Sequence, residues 1–525
     1  MAKRILYGAS VQGIQGFIFQ TNRLKDISGA SELVEEICTT TFAKAILEEK
    51  LNGNENEEAL RNKLNSNPRI LLNAAGNIKY LPDTPDECKN LVRKFPKLVQ
   101  LKAPGITVSQ AVVYFDDENK DSFSNAVLEL ESRLRIQRNI QSRSITLGMM
   151  GIRRSRNTGL PAIQVKGEDY LDASTLAKRF TCYERKEERK TINLYHKALS
   201  EEIESSQVPY DISHIIGKND WIAVIHADGN GLGQIVQKIG KDAAHFKEFS
   251  VELNNATIQA ARLAYQKIQE SYTWSGKVPI RPVVLGGDDF TVICRADLAL
   301  DYVKYFIQYF EEETGKMHCF GPDRSPIFTE GLYKSNLSAC AGIAYVKSSY
   351  PFYYAYSLAE SLCSDAKKDA KDRVCVRKGT ELPASCLMFH KLQDSFMEDY
   401  EELKKRELCP NSKVTFVHGP YYLKVGAALD HKKWTIDQLA QESEKLGTRN
   451  EVKSHLRNWM STVFTNEALS RQYMERLKKR LELKGDSYWI GKINQWTSVL
   501  ESDGVISTPV YDLLALHTLK NQETK

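Results

Sequence analysis

The apolar run Trp221-Ile-Ala-Val-Ile-His-Ala-Asp228 is rich in Ile and Val and ends on a carboxylate, the pattern of a buried strand. A glycine turn, Gly229-Asn230-Gly231-Leu232-Gly233, follows and opens into an apolar segment. About sixty residues on, VPIRPVVLGGDDFTVIC reads as two strands joined by a tight turn at Gly286-Gly287-Asp288-Asp289. Residues 296–314 repeat apolar side chains at helical spacing, 337–346 form another strand, and 354–371 are again helical. This order of strands and helices is that of a ferredoxin-like palm.

The same pattern occurs earlier in the chain. Ile5-Leu-Tyr-Gly-Ala-Ser-Val-Gln-Gly-Ile-Gln-Gly-Phe-Ile-Phe19 has the strand and glycine turn, Leu72–Leu81 takes the place of the hairpin, and 106–115 supply a closing strand. In this copy Gly76 and Asn77 replace the two aspartates, and Val11 or a neighbour replaces Asp228. Neutral side chains cannot hold a divalent ion, so the first palm is expected to be catalytically dead.

In the second copy, a rigid hairpin carries Asp288 and Asp289 beside a strand ending in Asp228. Mg²⁺ or Mn²⁺ prefers such hard oxygen ligands, and two-metal nucleotidyl transfer needs carboxylates fixed around one phosphorus. Backbone N–H groups of Gly229, Asn230, Gly231 and Gly233 are candidates to cradle a triphosphate, with Gly286 and Gly287 shaping the opposite turn. Lys367 and Lys371, one helical turn apart, are within the range of phosphate oxygens as point charges; solvated lysines are the alternative. In the first palm, Ser28, Gly29 and Ser31 of KDISGASEL sit at an expected helix start, where they either meet phosphates or cap the helix.

With these motifs the chain resembles the large-subunit polymerase/cyclase of type III CRISPR–Cas effector complexes, closest to the Cmr type. The likeness covers most of the chain and rests on Asp228, on Gly286-Gly287-Asp288-Asp289, and on the strand and helix carrying Ser338–Ala344, Ala359-Glu360 and Ala366-Lys367. It implies two palm domains and synthesis of cyclic or linear oligoadenylate from ATP on sensing target RNA. Guide and target RNA and other effector subunits are the implied partners. The expected fold is α+β. It comprises a degenerate palm at 1–124, an inter-palm α/β insertion at 125–215, a second palm at 216–428 and a C-terminal helical domain at 429–525.

Two departures from the family pattern bear on chemistry. No His-Asp pair precedes the first palm, so HD-type DNA cleavage is not expected. The stretch 152–162 resembles one that normally supplies a cysteine pair, yet the ten cysteines are scattered singly and no CxxC occurs, so no structural zinc is expected.

Composition narrows the class further. The 525 residues carry a net charge of only +5, which decides little, but seven arginines (133, 135, 138, 143, 153, 154, 156) lie between 132 and 165 without one acid. Such a patch suits an RNA backbone or an acidic subunit, and equally a solvated basic face. Absence of a signal peptide and of any long apolar span points to the cytoplasm and away from a membrane. A diguanylate cyclase fits less well, since that family favours Glu in place of one aspartate. A non-catalytic scaffold of an RNA-guided complex and a stand-alone defence nucleotide cyclase stay open.

Overall fold

The computed structural model describes residues 3–47, 57–74, 76–116, 122–140, 151–183, 193–217, 219–233, 243–318, 336–375, 383–394, 399–411, 413–424, 433–497 and 505–519. Strands β1 (Arg4–Gln12), β2 (Ile70–Ala74), β3 (Asn77–Tyr80) and β4 (Thr107–Phe115) form one antiparallel sheet in the order β2-β3-β1-β4. Helix α1 (Leu24–Glu36) lies between β1 and β2, and α2 (Pro85–Lys102) between β3 and β4. The start of α2 is legible in its residues: Thr84 accepts from the Glu87 N–H, and Pro85 takes the first position, where no N–H is needed. Helix α3 (Ser122–Arg138) packs on the sheet, with Leu130 over Gly8, where a Cβ would clash with the leucine side chain.

After a two-stranded hairpin, β5 (Ala162–Lys166) and β6 (Asp169–Asp172), helix α4 (Ala173–Tyr183) leads towards the second sheet. Its core is β7 (Trp221–Gly229), β8 (Ile280–Gly286), β9 (Asp289–Arg295) and β10 (Ala339–Lys347), in the order β8-β9-β7-β10. That is the order of the first sheet, so the duplication expected from the sequence is a duplication of topology. Helices α5 (Ala243–Ser271) and α6 (Ala299–Gly315) form the crossovers, and α7 (Phe352–Cys375) follows β10. Beyond β10 the sheet gains β11 (Cys386–Lys391), parallel to it, and a short edge strand.

The unbroken apolar run of β7 has a structural cause. Ala223, Ile225 and Ala227 face a core with Phe249 and Phe306 of α5 and α6, while Ile222 and Val224 face a core that includes Ile27 of α1 and Phe352 of α7. Both faces are buried, so no polar alternation is required. The second of these cores contains residues of both palms, and the two therefore dock through apolar packing.

Among the described residues the C-terminal part holds five helices, α8 (Ile436–Gly447), α9 (Asn450–Thr465), α10 (Glu467–Leu483), α11 (Ser487–Thr497) and α12 (Val510–Leu519). The run 414–419 does not join the sheet of the second palm. Val414–Thr415 instead pairs with Ile506–Ser507, and Tyr421–Tyr422 supplies the edge beside β11. Tyr421 then donates to Asp512 of α12 at 2.5 Å, both residues being buried. No helix among the described residues is long and apolar enough to cross a membrane. Arg143 of the basic stretch lies outside the described residues.

Two measurements check this packing. A Cβ on Gly342 of β10 would lie 2.0 Å from the Ala359 carbonyl oxygen and 2.6 Å from the Cys363 nitrogen of α7. Gly342→Ala should therefore lower stability by about 1–3 kcal/mol or more in urea unfolding. Burial pushes the Asp512 carboxyl up to about 7, with the Tyr421 hydrogen bond opposing. The folded chain thus keeps a proton that the unfolded chain releases near ~4, so stability falls as pH rises between these values. Asp512→Asn removes that slope, and the variant's melting temperature should gain on the unaltered chain at pH 8 relative to pH 5.5.

Candidate active site

β7 ends on Asp228 and Gly229, and the β8–β9 hairpin turns beside it. Gly287 has φ +64° at the first central position of this two-residue turn, a geometry glycine adopts without strain. Helix α5 pins the turn: Thr257 Oγ1 donates to the Gly287 carbonyl at 2.6 Å, and the Gly287 N–H reaches Asn254 Oδ1 at 3.4 Å. The two elements approach at Gly229, where an added Cβ would lie 3.0 Å from Asp288 Cβ and 3.3 Å from its Oδ2.

Asp228 and Asp288 consequently face each other. Burial, and then the neighbouring Asp228, hold the Asp288 carboxyl well above the usual carboxylate range. Burial opposes ionisation of Asp228 too, but a hydrogen bond from Asp288 and the Lys367 ammonium outweigh it, and its pKa falls below the usual value. Lys367 Nζ donates to Asp228 Oδ2 and to the Gly229 carbonyl at 2.9 Å, so it is engaged with the carboxylate rather than free, while Lys371 is exposed.

Asp289 behaves differently. It opens β9 one residue past the turn, and consecutive side chains there leave the backbone on different sides. Its Oδ1 accepts from Thr291 Oγ1 at 3.5 Å and lies 3.5 Å from His226 Nδ1. Burial raises its pKa, although part of the side chain is exposed. Among the described residues no three His, Cys, Asp or Glu side chains are set to hold a metal ion. Asp228 and Asp288 face each other, and the charges of Asp228, Asp288 and Asp289 bear on one another, so the three carboxylates lie close together. The donor set still fits a divalent cation. Two hard carboxylates are pressed together against their repulsion, and Asn230 Oδ1 is buried with no hydrogen-bond partner.

The turn after β7 is tied down through Asn230, whose N–H donates to the Ser338 carbonyl at 2.8 Å. Its side-chain amide N–H reaches Ser338 Oγ at 3.1 Å and Cys340 Sγ at 3.3 Å, which anchors the turn to β10. Gly231 has φ +72°, a Cβ on Gly233 would meet nothing within 4 Å, and Gly286 is buried, paired with Asp289. The apolar segment after this turn runs into residues 234–242, which lie outside the described residues.

The helix start expected at Ser28 is corrected. Helix α1 starts at Leu24, which places all three in its interior, buried. Ser28 Oγ donates to the Leu24 carbonyl at 2.7 Å, and Ser31 Oγ donates to the Val283 carbonyl of β8. A Cβ on Gly29 would overlap the Lys178 carbonyl of α4. Small residues here permit close packing of α1 against α4 and β8. At the first-palm hairpin, Gly76 and Asn77 pair with Val11 and Ser10 respectively, and no carboxylate is present among them.

A cavity of about 450 Å³ adjoins the pinned turn, and no motif announced it. Lys197, Lys247, Ser250, Asn254 and Asn255 line one side, and Glu35, Thr39 and Ile70–Asn73 of the first palm the other. Lys197 Nζ bridges Glu35 and the Leu285 carbonyl, both at 3.2 Å. These residues come from elements remote in sequence, each unremarkable alone.

Comparison with known proteins bears on the second sheet first. Residues 221–375 match the sequence profile of the Cas10/Cmr2 second palm domain. No curated protein matches the chain. Among solved structures, a Csm1–Csm4 cassette in complex with cA3 is similar at a TM-score of 0.52 and 12% identity, over 98% of this chain and 69% of that one. A cassette in complex with one ATP gives 0.51 and 12%, over 99% and 70%. In the cassette in complex with cA4, at 0.43 and 15%, the chain spans only 53% of the length of its match. At these identities the likeness is one of fold.

The Lys367–Asp228 contact yields a test. Lys367→Met leaves Asp228 facing Asp288 without its cation and should lower stability by about 1–2 kcal/mol, less than a fully buried pair because Asp228 is 37% exposed. Added Mn²⁺ should restore part of the loss, read as melting temperature with and without the ion.

Proposed function

From a chain that is a Cas10-like large subunit, with residues 221–375 its second palm domain, we propose a nucleotidyltransferase that joins ATP into cyclic or linear oligoadenylate. The observation that carries this reading is the Asp228–Asp288 pair, held at contact by Gly229 and served by Lys367. A solvated turn has no need to force two carboxylates together inside a protein. Similar folds crystallised with ATP, pppApApA and cA3 support the substrate class and the product class.

In this reading the ribose hydroxyl of one nucleotide attacks the α-phosphorus of another, forming an O–P bond as the bond to pyrophosphate breaks. Mg²⁺ or Mn²⁺ at Asp228 and Asp288, with the free oxygen of Asp289 beside them, would lower the pKa of the attacking hydroxyl and neutralise the leaving pyrophosphate. The turn 229–233 offers N–H groups to the triphosphate, and Lys367 transfers its charge from Asp228 towards phosphate oxygens. The cavity behind the Gly287 turn takes the base and ribose, with Asn254 and Asn255 as hydrogen-bonding groups and Lys197 and Lys247 as cations. Matches to Csm1–Csm4 cassettes favour a type III effector as the setting, with guide and target RNA as the trigger.

The test is incubation of the purified protein with radiolabelled ATP and Mg²⁺, with and without RNA-loaded partner subunits. Product is expected only with the partners, and Asp288→Asn should cut it by two orders of magnitude or more, on the scale of losing one charge contact in a transition state. Product from the chain alone would mark a stand-alone cyclase. No conversion of ATP or GTP in either mixture would leave a scaffold.

A further inference from the structure

The first palm has no carboxylates of its own at the corresponding hairpin, yet its glycine turn reaches the second palm beside Asp289. Gln15, just past β1, donates through Nε2 to the Tyr356 hydroxyl of α7 at 2.7 Å. Phe19 stacks on the same tyrosine at 4.9 Å between ring centroids, with 22° between planes. The Tyr356 ring meets His226 edge-on at 5.5 Å. His226 in turn lies 3.5 Å from Asp289 Oδ1 and 3.3 Å from Thr291 Oγ1, which donates to that same oxygen. Tyr356 and His226 are buried, so each has one packed position to occupy.

Both contacts to Asp289 fall on Oδ1, and Oδ2 has none among the described residues. A carboxylate fixed on one oxygen and open on the other is oriented to offer the open one. Carboxylates that bind metals are held this way by neighbouring groups that never touch the ion. We propose that Gln15 and Tyr356 are positioning residues for the second-palm site, acting through His226 on Asp289. The degenerate palm would then be a working part of the site rather than a remnant. This rests on the metal-binding reading of Asp228, Asp288 and Asp289.

The alternative is that Gln15 only docks the palms together. A second contact between the same elements separates the two: Asn22 Oδ1 accepts from the Phe352 N–H at 3.2 Å, at the start of α7 and away from His226. The experiment measures Mn²⁺ dissociation constants for the full-length chain by calorimetry, alongside melting temperatures. Gln15 is exposed, so Gln15→Ala should fold, and it should weaken Mn²⁺ binding by about 2- to 10-fold. Tyr356→Leu, which removes the ring from His226, should weaken it by about 10-fold or more. Asn22→Ala should leave the constant unchanged. Equal constants for Gln15→Ala and the unaltered chain, or an equal loss in Asn22→Ala, overturn the proposal while leaving the metal reading intact. Absence of Mn²⁺ binding by the unaltered chain overturns both.

Discussion

Two half-buried carboxylates that face each other repel, and a fold keeps them there only if something else holds the backbone. Here the strand ending in Asp228 and the hairpin bearing Asp288 are locked by sheet pairing, by the Gly287 turn bonded to α5, and by a missing side chain at Gly229. The repulsion is met in two ways. Burial and the neighbouring Asp228 raise the pKa of Asp288, and Lys367 reaches from α7 to Asp228. Everything chemical in the cleft is arranged around that shared charge: the turn 229–233, the cavity behind Gly287, and Asp289 held to one side.

The two palms repeat one topology and divide its tasks. Only the second keeps the acids, but neither buries its strands alone, since one core draws on α1, β7, β8 and α7 together. The first palm also places a side chain against the tyrosine that packs on His226. Loss of carboxylates from one copy has therefore not freed that copy from the other. An apolar interface shared so closely makes the pair one structural body, and strain in either palm is felt at the cleft.

Much of this was legible in the residues. The Ile/Val run of β7, the Gly-Gly-Asp-Asp turn and the spacing between them predict a palm and locate Asp228 beside Asp288, because strand periodicity and turn chemistry are local properties. The repeat of that spacing predicts the second sheet. What local pattern could not show is which neighbours capture a side chain. Asp289 turns to His226 and Thr291 because β7 and β9 pair in one particular register. Ser28 resembles a helix cap, but α1 begins a turn earlier, and Gly29 is required by α4, a helix about 150 residues away. The cavity is built from six separate elements, so no single stretch of sequence describes it. Val414–Thr415 reads as a strand and is one, yet its partner is the far C-terminal Ile506–Ser507.

The central claim is that a divalent ion sits between Asp228 and Asp288. Anomalous diffraction from a crystal of the chain grown with Mn²⁺ and a non-hydrolysable ATP analogue addresses it directly. The account predicts an anomalous peak bonded to a carboxylate oxygen of each aspartate, at about 2.0–2.3 Å, with Lys367 moved off Asp228 towards phosphate. A nucleotide bound with no peak at this pair, or a peak confined to another part of the chain, would contradict it.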